Sequence, residues 1–393
     1  MQLILFDDRS CDNLLPLTFT RPVADLRVGI LTIAEKWERY LNTTSSFLTR
    51  EYLAGKYPLL AGEDNLLVNG SILPDKTVTQ LLKGLDTGGA LKKGDTLLGA
   101  RMGRSGAENF IEEEWMAVAE EYTGEVSLVD YPWKIFKLNG QEIEADFELV
   151  TRGRTSEPLS DTVRVIGKGR VFVEPGFKGE YFTINTSSGS FYLGRDSEIM
   201  EGSLIRGPFV LGEASVVKLS AKIYGPTTIG PFSKVGGEIN NSVIHSQSNK
   251  GHDGYLGNAV IGQWCNLGAD TNNSNLKNNY SEVKAWNYPK RQFIKTGLQF
   301  CGLIMGDHSK CGINTMFNTG TMVGVAANIF GSGYQKNHIP SFSWGGATGM
   351  ITNNIEKVFE TASLVMERRD IELTTQDRAI LQYIYDFSEQ FRK

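Results

Sequence analysis

Residues 193–238 read LGRDSEIM EGSLIRGPFV LGEASVVKLS AKIYGPTTIG PFSKVGGE. Taking every sixth residue gives Leu193, Ile199, Ile205, Leu211, Val217, Ile223, Ile229 and Val235, an unbroken column of aliphatics. Ser197, Ser203, Phe209, Ser215 and Ala221 follow the first five at a distance of four, and most are small. Gly194, Gly212, Gly230 and Gly236 directly follow four of the aliphatics. An amphipathic helix needs apolar residues at spacings of three and four, and a half-buried strand needs alternation. A strict period of six is neither. It describes a coil of short parallel strands in which each hexad forms one side of a prism. The aliphatic points inward, the small residue fills a tight inner site, and the glycines are expected to give the corners a positive φ.

The register returns twice. Tyr255, Ile261 and Leu267 form one run, with Ala259, Cys265 and Thr271 at the small position. Met305, Cys311, Phe317, Val323 and Ile329 form another, with Ser309, Thr315, Thr321, Ala327 and Gly333. The intervals 239–254 and 272–304 read as interruptions. Loops that leave a rigid scaffold are where binding groups concentrate.

Outward from this coil, Val165–Arg170 and Val171–Gly176 are further hexads, and the prism extends to about Ile339. Towards the N-terminus, Gln2–Phe6, Asn65–Val68 and Asp95–Ala100 read as strands. Leu26–Leu41, Glu112–Tyr122 and a segment starting at Pro132 read as helices. Such alternation predicts an α/β domain with a mainly parallel sheet. The polar stretch 151–161 marks a boundary. The predicted domains are therefore residues 1–160 (α/β), 161–345 (parallel β-helix) and 346–393 (helices). In the last, Ile355, Val358, Phe359, Ala362, Val365 and Met366 share a helical face. Thr374 or Thr375 caps a final helix bearing Ile380, Leu381 and Ile384.

The chain has 393 residues, net charge −5 and 22% charged residues, so no general electrostatic case for nucleic-acid binding arises. The four cysteines form no C-x-x-C pair, and Cys265 and Cys311 fall on hexad positions. Reduced thiols, and with them a cytoplasmic location, are expected. No apolar run approaches the roughly 20 residues of a membrane span, and the N-terminal apolar run is too short for a signal peptide.

Only four histidines exist. His252, in Lys250-Gly251-His252-Asp253-Gly254, lies where an interruption rejoins the coil. An imidazole there could serve as a general base near neutral pH. His245 is expected to face solvent, His308 to sit on an outer corner, and His338 near the last corner.

Three stretches carry a resemblance: Ile229-Gly230-Pro231-Phe232; Gly251-His252-x-x-Tyr255-Leu256-Gly257-Asn258-Ala259-x-Ile261-Gly262; and Asn266-Leu267-Gly268-Ala269. Together they resemble the acetyltransferase half of the bifunctional N-acetylglucosamine-1-phosphate uridyltransferase/glucosamine-1-phosphate acetyltransferase family. They also resemble the bacterial and archaeal sugar-1-phosphate nucleotidyltransferases that carry the same second domain. The resemblance covers about Val165 to Ile339. It implies a left-handed β-helix, an exception to the usual right-handed crossover. It also implies a homotrimer, acetyl-CoA as co-substrate and an amino-sugar-1-phosphate as acceptor. By position it makes His252 the general base and Tyr255 and Asn275 sugar-phosphate contacts. Lys284 becomes a phosphate partner, unless it is simply a solvated lysine. Ala269 lies beside the developing oxyanion, where a backbone N–H can donate. Two departures point to a different acceptor: the family's phosphate-binding Arg falls at Gly236, and one loop Lys falls at Ser281.

In the first domain, Leu15-Pro16-Leu17-Thr18-x-x-Arg21-Pro22 and Val68-Asn69-Gly70 resemble nucleotidyltransferase segments, making Arg21 a nucleotide-binding candidate. UTP or dTTP and Mg²⁺ would then be its substrate and metal. Asp7-Asp8-Arg9-Ser10 replaces the Gly-rich loop, Val23 the expected Lys and Ser71 the expected metal-binding Asp. Either a divergent active domain or a relic that binds without catalysis fits. Two readings compete with acetyl transfer: a nucleotidyltransferase whose β-helix only oligomerises, and a non-catalytic trimeric scaffold.

Overall fold

A computed structural model describes residues 1–392. The chain forms two compact units. The first comprises residues 1–14, 20–26 and 31–131. The second comprises residues 15–19, 27–30 and everything from Pro132 onward. The helix Pro132–Thr151 thus groups with the second unit, although the composition change in the sequence comes only after it.

In the first unit a six-stranded sheet runs in the order 45–48, 2–6, 65–69, 96–102, 90–93, 120–121. The first three strands are parallel. Thr96–Met102 runs antiparallel to both of its neighbours. Five of the six strands thus run the same way and one is reversed, so the sheet is mainly parallel, as expected. The helix expected from Leu26 starts at Ile33, where Thr32 and Glu35 form a reciprocal capping box. Residues 27–30 do not join it because their backbone is engaged in the second unit: Gly29 N–H donates to Asn139 and Ile30 N–H to Asp146, each at 2.8 Å.

The second unit is a parallel β-helix of three faces. Its first face holds six strands from Arg164–Ile166 to Tyr255–Gly257. Its second holds nine, from Val171–Val173 to His338–Ile339. Its third holds ten, from Lys178–Gly179 to the hairpin Ser343–Gly346/Gly349–Thr352. The eight aliphatics of 193–235 are all buried in one continuous core, as are Met305, Cys311, Phe317, Val323 and Ile329. Helix 132–151 lies against the second face, where Asn139 bonds Thr228 and Pro226 O, both at 3.1 Å.

Three expectations about the coil need correction. The interval 239–254 is no interruption: strands Glu238–Asn240, Val243–Ser246 and Asn249–Lys250 continue the three faces. The turn at 235–239 is two residues shorter and those at 240–243 and 257–260 are each one shorter, so the inward column runs Val235, Ile239, Ile244, Lys250, Leu256, Ile261. Tyr255 is therefore not inward; Leu256 takes that site at 1% exposure. Nor do the post-aliphatic glycines turn the corners. The positive φ falls three residues after the aliphatic, at Asp196, Ala214, Phe232, Gln247, Trp264 and His308. Gly194, Gly212 and Gly230 are needed for close stacking instead: a Cβ on Gly230 would lie 1.8 Å from His245 O in the next coil.

The second interval does leave the coil and carries the hairpin Lys284–Asn287/Gln292–Lys295. After the last coil come helices Ile355–Glu367 and Thr375–Phe387, the latter with a Thr374–Asp377 capping box. No helix among the described residues is long and apolar enough to cross a membrane.

Candidate functional site

Ladder register places Lys234, Asn249, Asn266 and Lys310 side by side on the outer surface of the third face. The C-terminal end of helix 355–367 brings Val365, Arg368 and Arg369 over this column. Between them lies a cleft of about 720 Å³ that also takes in Lys218, Gly251, His252, Gly268 and Ala269. Five cationic side chains line it and no carboxylate does. Such an excess of one sign in a concave site attracts anions. Arg369 is anchored by donating to Phe232 O and, at 3.4 Å, to Asn249 Oδ1. Burial lowers its pKa, as does the neighbouring Arg368. Lys310 Nζ donates to His308 O at 3.0 Å, and burial lowers its pKa too.

His252 is exposed at the corner where the third face turns into the first. Its loop is fixed from several sides. Gly254 adopts φ +106°, and a Cβ there would meet Thr271 O at 2.3 Å. Asp270 N–H donates to Asp253 O at 3.0 Å, and Glu238 N–H to Gly254 O at 3.2 Å.

Round the corner, on the first face, a polar cluster forms. Asn275 Nδ2 donates to the Tyr255 phenol at 2.9 Å and to Asn258 Oδ1 at 2.8 Å. Tyr224 donates to Glu238 at 2.6 Å; burial and this contact raise the phenol pKa. Because the shortened turns move Tyr255 to an outward position, the residue misassigned to the core becomes available at the surface.

The sequence candidates thus separate into groups. His252 and Ala269 line one cleft, and Tyr255 and Asn275 touch each other on the adjacent face. Lys284 is exposed in the hairpin opposite Lys295, and among the described residues no hydrogen bond links it to Tyr255 or Asn275. The cationic set was missed. Its column at hexad spacing was visible at Lys234, but Arg368 and Arg369 arrive through tertiary packing. His245 does not face solvent: it is 9% exposed, its Nδ1 lies 3.0 Å from Ser246 Oγ, and its carbonyl accepts from Arg27. His338 is stacked on Trp286 with ring centroids 4.2 Å apart, and burial lowers its pKa to about 4.

In the first unit, Asp7 and Asp8 follow the strand 2–6, beside the end of 65–69. Strand order reverses between these two strands, the position at which open α/β sheets bind ligands. Asp8 accepts from Asn69 Nδ2 at 2.7 Å and from Ser10 N–H at 2.8 Å. Asp7 accepts from Val23 N–H at 2.8 Å and from the Thr49 hydroxyl. Burial raises the Asp7 pKa to about 6. Arg21 is 2% exposed and pairs with Asp25 at 3.3 Å. No cluster of three or more His, Cys, Asp or Glu among the described residues is placed to hold a metal. Asn69 turns its amide nitrogen to Asp8 and its oxygen to Ser71, so Asp8 offers one hard carboxylate, which fits Mg²⁺ only when substrate phosphates and water complete the shell.

Comparison with known proteins gives a match of residues 3–155 to the sugar nucleotidyl transferase family. The bifunctional sugar-1-phosphate nucleotidylyltransferase/acetyltransferase of Sulfurisphaera tokodaii is 29% identical over 226 residues, covering 57% of this chain and 49% of that protein. The bifunctional protein GlmU of Methanococcus aeolicus is 31% identical over 138 residues, covering 35% of this chain and 28% of the relative. The GlmU protein of Methanocaldococcus jannaschii is 31% identical over 119 residues, covering 30% and 24%. The chain thus spans half or less of the length of these curated relatives.

Proposed function

We propose, starting from a chain whose residues 3–155 match the sugar nucleotidyl transferase family, that its β-helix transfers an acetyl group from acetyl-CoA to the amine of an amino-sugar-1-phosphate. The observation that carries this reading is the position of His252 between a cationic cleft and a polar cluster. The cleft suits the phosphates of the acyl donor. The Tyr255–Asn275 cluster suits the hydroxyls and phosphate of a sugar. At the corner between them the acceptor amine attacks the thioester carbonyl. The His252 imidazole takes the proton the amine loses. The Ala269 backbone N–H faces the oxyanion of the tetrahedral intermediate, which collapses by breaking the C–S bond, and the leaving sulfur takes the proton from the His252 imidazolium to depart as the thiol of CoA. Gly236 and Ser281, where the family has Arg and Lys, support an acceptor other than glucosamine-1-phosphate. A homotrimer has the first face available for self-association, since helix 132–151 lies on the second. Four buried cysteines, none in a disulfide, support a reducing, cytoplasmic setting.

Asp7 and Asp8 at the strand-order reversal favour a second reading for the first unit: binding of a sugar-1-phosphate and UTP or dTTP, with Asp8, oriented by Asn69, facing Mg²⁺. The bound ion would neutralise phosphate charge, and these residues would orient it. Arg21, held by Asp25, would act there by supporting the fold around the nucleotide.

The test is a paired assay on the purified chain. Acetyl-CoA with amino-sugar-1-phosphates is followed by thiol release, and UTP or dTTP with sugar-1-phosphates and Mg²⁺ by pyrophosphate release. Thiol release that falls at least ~10²-fold in His252→Ala is the expected result. Undiminished release in that variant removes His252 from the mechanism. Pyrophosphate without thiol assigns the activity to the first unit alone.

A further inference from the structure

The inward column of the β-helix contains one charged residue where every neighbouring coil places an apolar one. Lys250 occupies the slot between Ile244 and Leu256, pairs in register with Val235, and is 1% exposed. Its aliphatic stem fills the prism as the neighbouring side chains do. Its ammonium reaches the corner, where it donates to two consecutive backbone carbonyls, those of His252 and, at 2.9 Å, Asp253. Asp253 O also accepts from Asp270 N–H, so the loop is pinned to its own coil and to the next one.

A lysine in this slot is otherwise unfavourable. Burying an ammonium among aliphatics is costly unless its donors find acceptors. Burial lowers its pKa to about 8, opposed by Asp253, Asp270 and Cys311. A leucine or methionine would satisfy the hexad at no such cost. What the lysine adds is a fixed loop: the two peptides that follow the His252 Cα are tied from inside the prism. The outer side of the loop gives little support, since a Cβ on Gly251 would have no heavy atom within 4 Å.

We propose that Lys250 is a positioning residue for His252, holding the 251–254 loop so that the imidazole stays at the mouth of the cleft. This deepens the acyl-transfer reading and rests on it for the kinetic consequence, but the tether itself is testable without it. Lys250 touches neither reactant; it acts through the loop backbone.

Lys250→Met keeps the length and the apolar stem and removes the donors, so the coil should still form. Hydrogen exchange on the full chain is expected to speed up at least tenfold at residues 251–254 and to remain unchanged in the strands 227–229 and 243–246. Acetyl transfer by this variant is expected to lose about 10- to 100-fold in kcat, with KM for both substrates within twofold. In a His252→Ala background, Lys250→Met should cause no further loss, because its effect passes through the imidazole. A purely structural lysine would instead reduce both backgrounds equally. Unchanged exchange at 251–254, or an equal loss of activity in the His252→Ala background, overturns the proposal. Undiminished activity of His252→Ala alone removes His252 from the mechanism instead, and the exchange result then still decides whether the tether exists.

Discussion

Asn275 and Tyr255 lie 20 residues apart in sequence, and the amide of the first donates to the phenol of the second at 2.9 Å. Asn275 belongs to the excursion that leaves the coil, whereas Tyr255 stands on the first face. The bond therefore ties the excursion to the side of the corner assigned to the acceptor. Asn275→Ala removes one polar contact for the sugar and frees the phenol. Loss of such a neutral hydrogen bond is worth about 1 kcal/mol, or several-fold in affinity. We expect KM for the amino-sugar phosphate to rise about five- to tenfold, with KM for acetyl-CoA unchanged. Steady-state kinetics with each substrate varied in turn checks this, and a rise confined to acetyl-CoA would reverse the assignment of the two sides.

The cationic cleft makes a complementary prediction. Arg369 is clamped by Phe232 O and Asn249, and Arg368 stands beside it over Lys234 and Lys310. If these charges hold the phosphates of CoA, Arg368→Ala combined with Arg369→Ala should raise KM for acetyl-CoA about tenfold or more, an effect that shrinks with added salt. Acetyl-pantetheine carries the same thioester without phosphates. Its KM should not change in the double variant. Equal effects on both donors would mean that the arginines support the fold of the cleft rather than the phosphates.

The prism was legible in the sequence because its energetics are periodic: each inward slot must be apolar, and burial at Leu193, Ile223 or Val323 follows directly. Two things blurred the reading. Turns shortened by one or two residues shift the register without leaving the coil, and so Tyr255 was assigned to the slot that Leu256 fills. A lysine in an inward slot breaks the pattern, so the coil containing Lys250 looked like a loop. Both failures fall next to His252, where local rules give way to the demands of the site. Helix 33–41 was recognisable by its apolar stripe, but its start was not. The acceptors that keep residues 27–30 out of the helix lie more than 100 residues away, at Asn139 and Asp146. Arg368 and Arg369 carry no motif, and only packing brings them to the cleft.

Glycines in the coil separate into two kinds, which a pair of substitutions distinguishes. At Gly230 an added Cβ would sit 1.8 Å from His245 O and 2.7 Å from Ile244 O, backbone atoms fixed by the ladder. At Gly251 it would meet nothing within 4 Å. Gly230→Ala should therefore destabilise the chain by about 3 kcal/mol or more through forced separation of adjacent coils. Gly251→Ala should change stability by no more than about 0.5 kcal/mol. Denaturant unfolding monitored by circular dichroism would check both. Similar midpoints for the two variants would contradict the close-stacking role.

Asp7 provides a pH-dependent test in the first unit. Its carboxyl is buried, and this raises its pKa from 3.8 to about 6, partly offset by its bonds from Thr49 and Val23. The folded state therefore holds this proton where the unfolded chain has already lost it. By linkage, the contribution to stability is fully present below about pH 4 and is lost as pH rises through about 6. The full difference corresponds to about 3 kcal/mol as an order of magnitude. An asparagine in this position can still accept from Val23 N–H through its carbonyl, and its amide can donate to Thr49. Asp7→Asn should therefore be more stable than the parent chain at pH 8, by about 1–3 kcal/mol, and equal to it near pH 4. Melting curves of both proteins between pH 4 and 8 give the answer. A difference that stays constant across this range would show that Asp7 does not hold its proton in the fold. A variant less stable at pH 8 would show that the ionised carboxylate is wanted at the end of strand 2–6, as a phosphate- or metal-facing group would require.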